Sequence, residues 1–108
     1  MEKILALRVE DSDNVATIFS DLAKEGTVVE VVDQTGEKID SVKTCSEIPY
    51  GHKIALRDIK RGEDVCKYGI CIGFTNSDIK KGEHVHTHNL ESKRGRGDLN
   101  GKENINGI

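Results

Sequence analysis

Aromatic residues and proline are scarce in this sequence: its 108 residues include no tryptophan, two phenylalanines, two tyrosines and one proline. The core must therefore rest on Val, Ile, Leu and Ala, and the length is that of a single domain with one modest core. No apolar run approaches the ~20 residues that cross a bilayer, and the N-terminal segment lacks the apolar region of a secretory signal. These absences predict a cytoplasmic protein with no membrane partner.

An excess of one charge sign is also lacking. Charged residues make up 32% of the chain, but acidic and basic side chains are interspersed and the formal net charge is -3. No basic surface suited to nucleic acid results, and no glycine-rich phosphate motif indicates nucleotide binding. The three cysteines, Cys45, Cys66 and Cys71, are odd in number and show no Cys-x-x-Cys spacing. We therefore expect three free, partly buried thiols rather than a disulfide framework or a zinc site.

The hydrophobic pattern predicts a mainly β chain with one helix. Segments 3–9, 27–32 and 38–44 are rich in apolar and β-branched residues and are expected to be strands, the last two joined as a hairpin. Apolar residues recur at helical spacing from Val15 to Ala23, and Gly26 follows where a helix C-terminus favours glycine. We predict an α-helix over 13–25.

The second half contains an internal repeat. Segment 58–65 (Asp-Ile-Lys-Arg-Gly-Glu-Asp-Val) recurs twenty positions later as 78–85 (Asp-Ile-Lys-Lys-Gly-Glu-His-Val). Upstream, 51–56 resembles 69–74, with two extra residues in the second copy. Each copy has the pattern strand, glycine-containing turn, strand. Two copies are too few for a solenoid, so we predict a small β domain with pseudo-two-fold symmetry.

The character of the sequence changes after residue 90. Residues 91–108 are rich in glycine, asparagine and charge and contain only three aliphatic side chains. Such a segment buries too little apolar surface to offset the entropy of ordering it. We predict a domain over 1–90 and a flexible tail over 91–108, disordered alone or docked on a partner.

Three of the four histidines, His84, His86 and His88, alternate within five residues. In a strand their rings share one face, an arrangement that can present imidazole nitrogens to a metal or a substrate. In the repeat, however, His84 aligns with Asp64 beside a turn, so we interpret it as a solvated turn residue. His86 and His88 stay candidates for metal binding or proton transfer, with a structural role as the alternative. His52, at the start of the first copy, could face them across the pseudo-two-fold axis, with an inert loop histidine as the alternative.

Several short motifs together resemble the small N-terminal domain of altronate and galactarate dehydratases. They are Asp13-Asn14-Val15-Ala16, Gly51-His52-Lys53-Ile54-Ala55, Lys67-Tyr68-Gly69, Ile72-Gly73, Asp78-Ile79-Lys80-Lys81-Gly82, Val85-His86-Thr87-His88-Asn89 and Arg94-Gly95-Arg96-Gly97-Asp98. Each motif is weak alone, and together they cover nearly the whole predicted domain. The resemblance implies a SAF-type domain, similar to the antifreeze-protein-like β-clip fold.

The resemblance also implies a reaction. The family eliminates water from sugar acids that carry a hydroxyl α to a carboxylate, with help from a divalent metal such as iron or manganese. It implies His52, His86 and His88 as catalytic groups and metal ligands, and Lys53 and Asn89 as substrate-binding residues. A base would remove the proton α to the carboxylate, and a general acid would help the hydroxyl leave.

In the family, this small domain is fused to or assembled with a much larger one. The chain ends soon after the Arg-Gly-Arg-Gly-Asp motif, so we expect a stand-alone small subunit that needs a large catalytic partner and is inactive alone. Two alternatives stay open: the small subunit of a sulfolactate sulfo-lyase, which eliminates sulfite, and a non-catalytic module for substrate binding or assembly. An exposed strand edge also makes pairing of two copies plausible.

Overall fold

The computed structural model describes residues 3–92, which form two β-sheets and contain no helix. The strands are β1 (Ile4–Leu7), β2 (Val15–Ile18), β3 (Val28–Val32), β4 (Lys38–Lys43), β5 (Lys53–Ala55), β6 (Asp64–Lys67), β7 (Ile70–Thr75), β8 (His84–Val85) and β9 (Leu90–Ser92). The larger sheet has the order β4-β3-β1-β2-β5-β8 and the smaller one β6-β7-β9. Strands β1 and β3 are parallel, and the other neighbours pair antiparallel. Nothing in this part of the chain forms a helix that could span a membrane.

The predicted helix over 13–25 is wrong. Val15–Ile18 is a strand between β1 and β5, and Ala23 forms an isolated bridge with Ile48. The helical spacing misled because this strand is buried on both faces, so its apolar residues do not alternate with polar ones. Gly26 does adopt a positive φ of 84°, but in a tight turn in which Thr27 N–H donates to Lys24 C=O. The fold is all-β rather than β with one helix.

The three other strand predictions of the first half are confirmed with shorter bounds, as β1, β3 and β4. Strands β3 and β4 form the predicted hairpin, and Asp33 closes its turn by accepting hydrogen bonds from Thr35 and Glu37 N–H. Among residues 3–92, the buried apolar side chains are all Val, Ile or Ala, while Leu56 and Leu90 pack against them only partly buried. Alanine and the β-branched side chains of Val and Ile therefore fill this core without aromatic residues.

The interior consists of two apolar clusters separated by the larger sheet. One contains Ala6, Ala16, Ile18, Ala23, Val29, Val31, Val42, Ile48 and Ile54, and the other Val15, Ala55, Ile59, Val65, Ile79 and Val85. Neighbouring residues of β5 belong to different clusters, Ile54 to the first and Ala55 to the second. Strand β5 is therefore fixed on both faces, which matters because His52 directly precedes it.

The strands of one repeat copy pair with strands of the other copy. Strand β5 of the first copy pairs with β8 of the second, and β6 of the first pairs with β7 of the second. Ile59 and Ile79 bridge the two turns, with reciprocal backbone hydrogen bonds of 2.8 and 2.7 Å. Ala55 N–H donates to Glu83 C=O just as Thr75 N–H donates to Glu63 C=O, twenty positions along. Equivalent strand residues are therefore twenty positions apart, as equivalent turn residues are. The prediction that the second copy contains two extra residues is wrong.

Two of the three cysteines are bonded to each other. Cys66 and Cys71 face one another across the β6–β7 hairpin and form a disulfide, whereas Cys45 is free and exposed. The expectation of three partly buried thiols is therefore wrong. The spacing gave no warning, because a hairpin tip brings residues five apart in sequence into register without any recognised motif.

The boundary of the predicted tail falls inside β9, which includes Glu91 and Ser92. Residues 93–108, with the Arg94–Asp98 motif, lie outside the described residues. The tail stays a prediction.

Candidate functional site

Pairing of β5 with β8 brings His52 next to the segment that contains His84, His86 and His88. In the β5–β8 pair, Lys53 lies opposite Val85 and Ile54 opposite His84, so the same register sets His52 opposite His86. His52 is fixed by a turn in which its N–H donates to Pro49 C=O at 3.1 Å and Gly51 takes a φ of 83°. Such a turn requires glycine at this position. The prediction that His52 faces the His86 strand is consistent with this pairing.

Three imidazole rings stack over this strand pair. The His52 and His86 rings have centroids 3.7 Å apart and planes inclined by 10°, and the His52 and His84 rings lie 5.0 Å apart at 18°. His52 Nδ1 and His84 Nε2 are 2.8 Å apart, a hydrogen bond in which one nitrogen carries the proton and the other accepts it. His88 contacts His84 with its ring tilted by 44°. The histidines form one cluster, with His88 at its margin.

The loop that carries the cluster is closed by Asn89, which is 7% exposed. Its Oδ1 accepts the His86 N–H at 2.9 Å, and its Nδ2 donates to His84 C=O at 2.9 Å. Its own N–H donates to His86 C=O at 3.1 Å. Both polar atoms of the side chain of Asn89, a predicted substrate-binding residue, are therefore hydrogen-bonded to the backbone of the two histidines.

Burial favours the neutral form of His84 and His86. The pKa of His84 is lowered to about 4, first by burial and then by His88, His52 and His86. The pKa of His86 is lowered by burial and by the neighbouring His52 and Lys53. Burial, together with Lys67, also lowers the pKa of Lys53. Neutral imidazole is the form that binds a metal ion.

The ring nitrogens of His52, His84 and His86 suit a metal ion. One nitrogen from each of the three lies within 4.8 Å of the others. Two imidazole nitrogens that bind one ion at ~2.1 Å stand about 3 Å apart when they subtend a right angle, close to the 2.8 Å between His52 and His84. His86 Nδ1 is buried without a hydrogen-bond partner among the described residues. A buried nitrogen left without a partner is costly unless a ligand uses it.

Two grooves flank the cluster. The larger, of about 450 Å³, is polar and reaches His84, His88 and Asn89; its other lining residues are Ser46, Glu47, Ser77, Asp78 and Glu83. The smaller, of about 210 Å³, lies between Lys53 and His86 and is lined by Ile72, Thr87, Leu90 and Ser92. Lys53 is half-buried and has no carboxylate partner within residues 3–92. It is therefore available to an anion.

The sequence-predicted residues are thus only partly brought together. His52 and His86 meet, but His84 completes their group and His88 does not belong to it. The interpretation of His84 as a solvated turn residue is wrong, because it begins strand β8, is half-buried and is bonded to His52. The alternation of His84 and His86 already indicated that their rings share one face of a strand. The repeat alignment led away from this conclusion, because it matched His84 with Asp64, an acidic residue beside a turn.

Comparison with known proteins agrees with this fold. Residues 4–93 match the family model described as the altronate/galactarate dehydratase SAF domain. The chain belongs to this family. Its SAF domain is 45% identical to the altronate dehydratase of Escherichia coli over 86 residues, which are 80% of this chain but only 16% of that protein.

The SAF domain also matches proteins of another name and size. It is 51% identical over 47 residues to the (2R)-sulfolactate sulfo-lyase subunit alpha of Chromohalobacter salexigens, which covers 44% of this chain and 50% of that subunit. The galactarate dehydratase of Escherichia coli is 34% identical over 80 residues, 14% of its own length. The chain therefore spans only a small part of the dehydratases it matches.

Proposed function

We propose that this SAF domain is the small component of a hydro-lyase that removes water from an altronate- or galactarate-type 2-hydroxy carboxylate. In this proposal, His52, His84 and His86 bind a divalent metal at a site that a large catalytic subunit completes. The single observation that carries the proposal is the group of three imidazole nitrogens within 4.8 Å of one another, in a chain of the dehydratase SAF family.

The donor set favours iron over manganese. Imidazole nitrogen suits iron and zinc, whereas manganese prefers carboxylate, carbonyl and water oxygens. The group contains three imidazoles and no carboxylate among residues 3–92. When bound, the metal would act as a Lewis acid toward the carboxylate and hydroxyl oxygens of the substrate.

The chain's own residues have separable roles in this proposal. Lys53, half-buried beside His86 and without a carboxylate partner among the described residues, binds the substrate carboxylate. In the proposed reaction, His88, which is exposed at the rim of the polar groove, moves a proton to or from the substrate. Loss of the proton α to the carboxylate and of the hydroxyl on the next carbon yields water and, after tautomerisation, a 2-keto-3-deoxy acid.

The test is an assay of the full chain with and without its large subunit. We expect 2-keto-3-deoxy acid from altronate or galactarate only when both chains and Fe²⁺ are present, and at least a tenfold loss for His84→Ala. Lys38→Ala, an exposed residue of the β4 edge remote from the histidines, is the matched control and should keep full activity. Turnover by the isolated chain, or full activity in His84→Ala, would refute the proposal.

A second candidate is the small subunit of a sulfolactate sulfo-lyase. It is favoured by higher local identity: 51% over 47 residues and 49% over 49 residues to two sulfo-lyase alpha subunits, against 45% over 86 and 33% over 90 to two altronate dehydratases. The same assay with (2R)-sulfolactate distinguishes it, because this substrate releases sulfite rather than water. Binding of either acid without turnover in the complex would instead favour a non-catalytic module.

A further inference from the structure

Asn89 combines deep burial with contacts to two members of the histidine cluster. It is 7% exposed, and both polar atoms of its side chain are bonded to backbone groups of the same loop. Oδ1 holds the N–H of His86, and Nδ2 holds the C=O of His84. Since those two residues lie on either side of Val85, the amide fixes the backbone from which both rings project.

These two side-chain hydrogen bonds of Asn89, here called the clamp, are connected to the smaller sheet. Asn76, which follows β7, donates its N–H to Asn89 C=O at 3.1 Å. Asn89 itself immediately precedes β9, which pairs with β7. The position of the His84–His86 backbone is therefore tied to β7 and β9 on one side and, through the β5–β8 pairing, to His52 on the other.

A second asparagine, Asn14, lies upstream of the repeat and makes the same contacts to its first copy. Asn14, 3% exposed, accepts the Cys66 N–H at 2.8 Å and donates to Asp64 C=O at 2.9 Å. Asp64 and Cys66 are the residues twenty positions before His84 and His86. The fold therefore uses one clamp twice, and of the two clamped segments, 64–66 and 84–86, only the second carries histidines.

We propose that Asn89 is a positioning residue that holds His84 and His86 at the spacing of the three-imidazole group. This inference rests on the proposed function for its metal readout, whereas its ring-contact readout is independent of any metal. Residues that orient metal ligands in this way typically contribute about tenfold or more to metal affinity.

The experiment compares Asn89→Ala with Asn14→Ala in the full chain. Contacts between the His52 and His86 rings are followed by NMR without metal, and Co²⁺ binding is followed by absorption. We expect Asn89→Ala to lose the ring contact and to bind Co²⁺ at least tenfold more weakly. Asn14→Ala removes a clamp of the same geometry, so it should lose similar stability but keep both readouts. Equal effects in the two variants, or an unchanged ring contact in Asn89→Ala, would overturn the inference.

Asn89→Asp keeps the test decisive if the alanine variant does not fold. Aspartate preserves an oxygen acceptor for the His86 N–H but not the donor to His84 C=O. The His52–His86 ring contact should then persist while the His52–His84 contact is lost; loss of neither would contradict the clamp. If the wild-type chain shows the ring contact but takes up no Co²⁺, the metal proposal fails, and the NMR comparison still decides the role of Asn89.

Discussion

The buried neutral state of His84 predicts that mild acid destabilises the metal-free protein. Its pKa is lowered to about 4 in the folded chain, mainly by burial, whereas the ordinary value is 6.5. Above pH 6.5 neither state is protonated and the fold is fully stable. As the pH falls from 6.5 toward 4, only the unfolded state takes up the proton, so the free energy of unfolding decreases. The lowered pKa of His86 acts in the same direction.

The size of this effect follows from the shift. A site with these two pKa values would lower the free energy of unfolding by about 2 kcal/mol between pH 7.5 and pH 5. Because the His84 ring is only half-buried, solvent screening reduces this to about 1 kcal/mol. Urea unfolding at a series of pH values, with a chelator present, measures it. Carboxylates with lowered pKa, such as Asp33 and Glu63, lose their stabilising effect only at lower pH.

The matched variant is His84→Gln, which keeps a polar side chain but cannot titrate. Its stability should fall less between pH 7.5 and pH 5 than that of the wild type, by about 1 kcal/mol. If both proteins lose the same stability over this range, the reasoning is refuted, because the proton uptake would then belong to other groups.

Three further predictions concern stability. Gly82→Ala should cost about 3 kcal/mol or more, since a Cβ there would collide with Lys43 C=O and φ is positive, whereas its repeat mate Gly62 faces open space and should cost only about 1 kcal/mol; thermal unfolding of both variants checks this. Reducing the Cys66–Cys71 bond should lower stability by about 2 kcal/mol, measurable as a lower melting temperature in reductant. Asp13→Ala should cost about 3 kcal/mol, because the buried carboxylate accepts four backbone N–H groups; no change in the urea midpoint would contradict this.

Sequence reasoning succeeded where local pattern and structure coincide. The β3–β4 hairpin and the repeated turns have glycine where φ is positive, and β3 is rich in β-branched residues, as is typical of strands. It failed for Val15–Ile18, whose burial on both faces comes from strands distant in sequence, and for the Cys66–Cys71 pair, which depends on register at a hairpin tip. The predicted metal set included His88 but not His84, because a repeat alignment assigns positions and does not show which rings face each other.

The two halves of the repeat show how such a site can arise from a shared frame. Each half has the same glycine turn and the same asparagine clamp, on Asp64 and Cys66 in one and on His84 and His86 in the other. The position of His86 is taken in the first half by Cys66, which a disulfide closes onto the opposite strand. Both halves are therefore held by an asparagine clamp; the first is also closed by a disulfide, whereas the second carries stacked imidazoles. Since the clamp does not depend on the side chains above it, the backbone geometry can be kept while the chemistry differs. In the function proposed above, a partner subunit would need to complete only the end of the β5–β8 pair where His52, His84 and His86 meet.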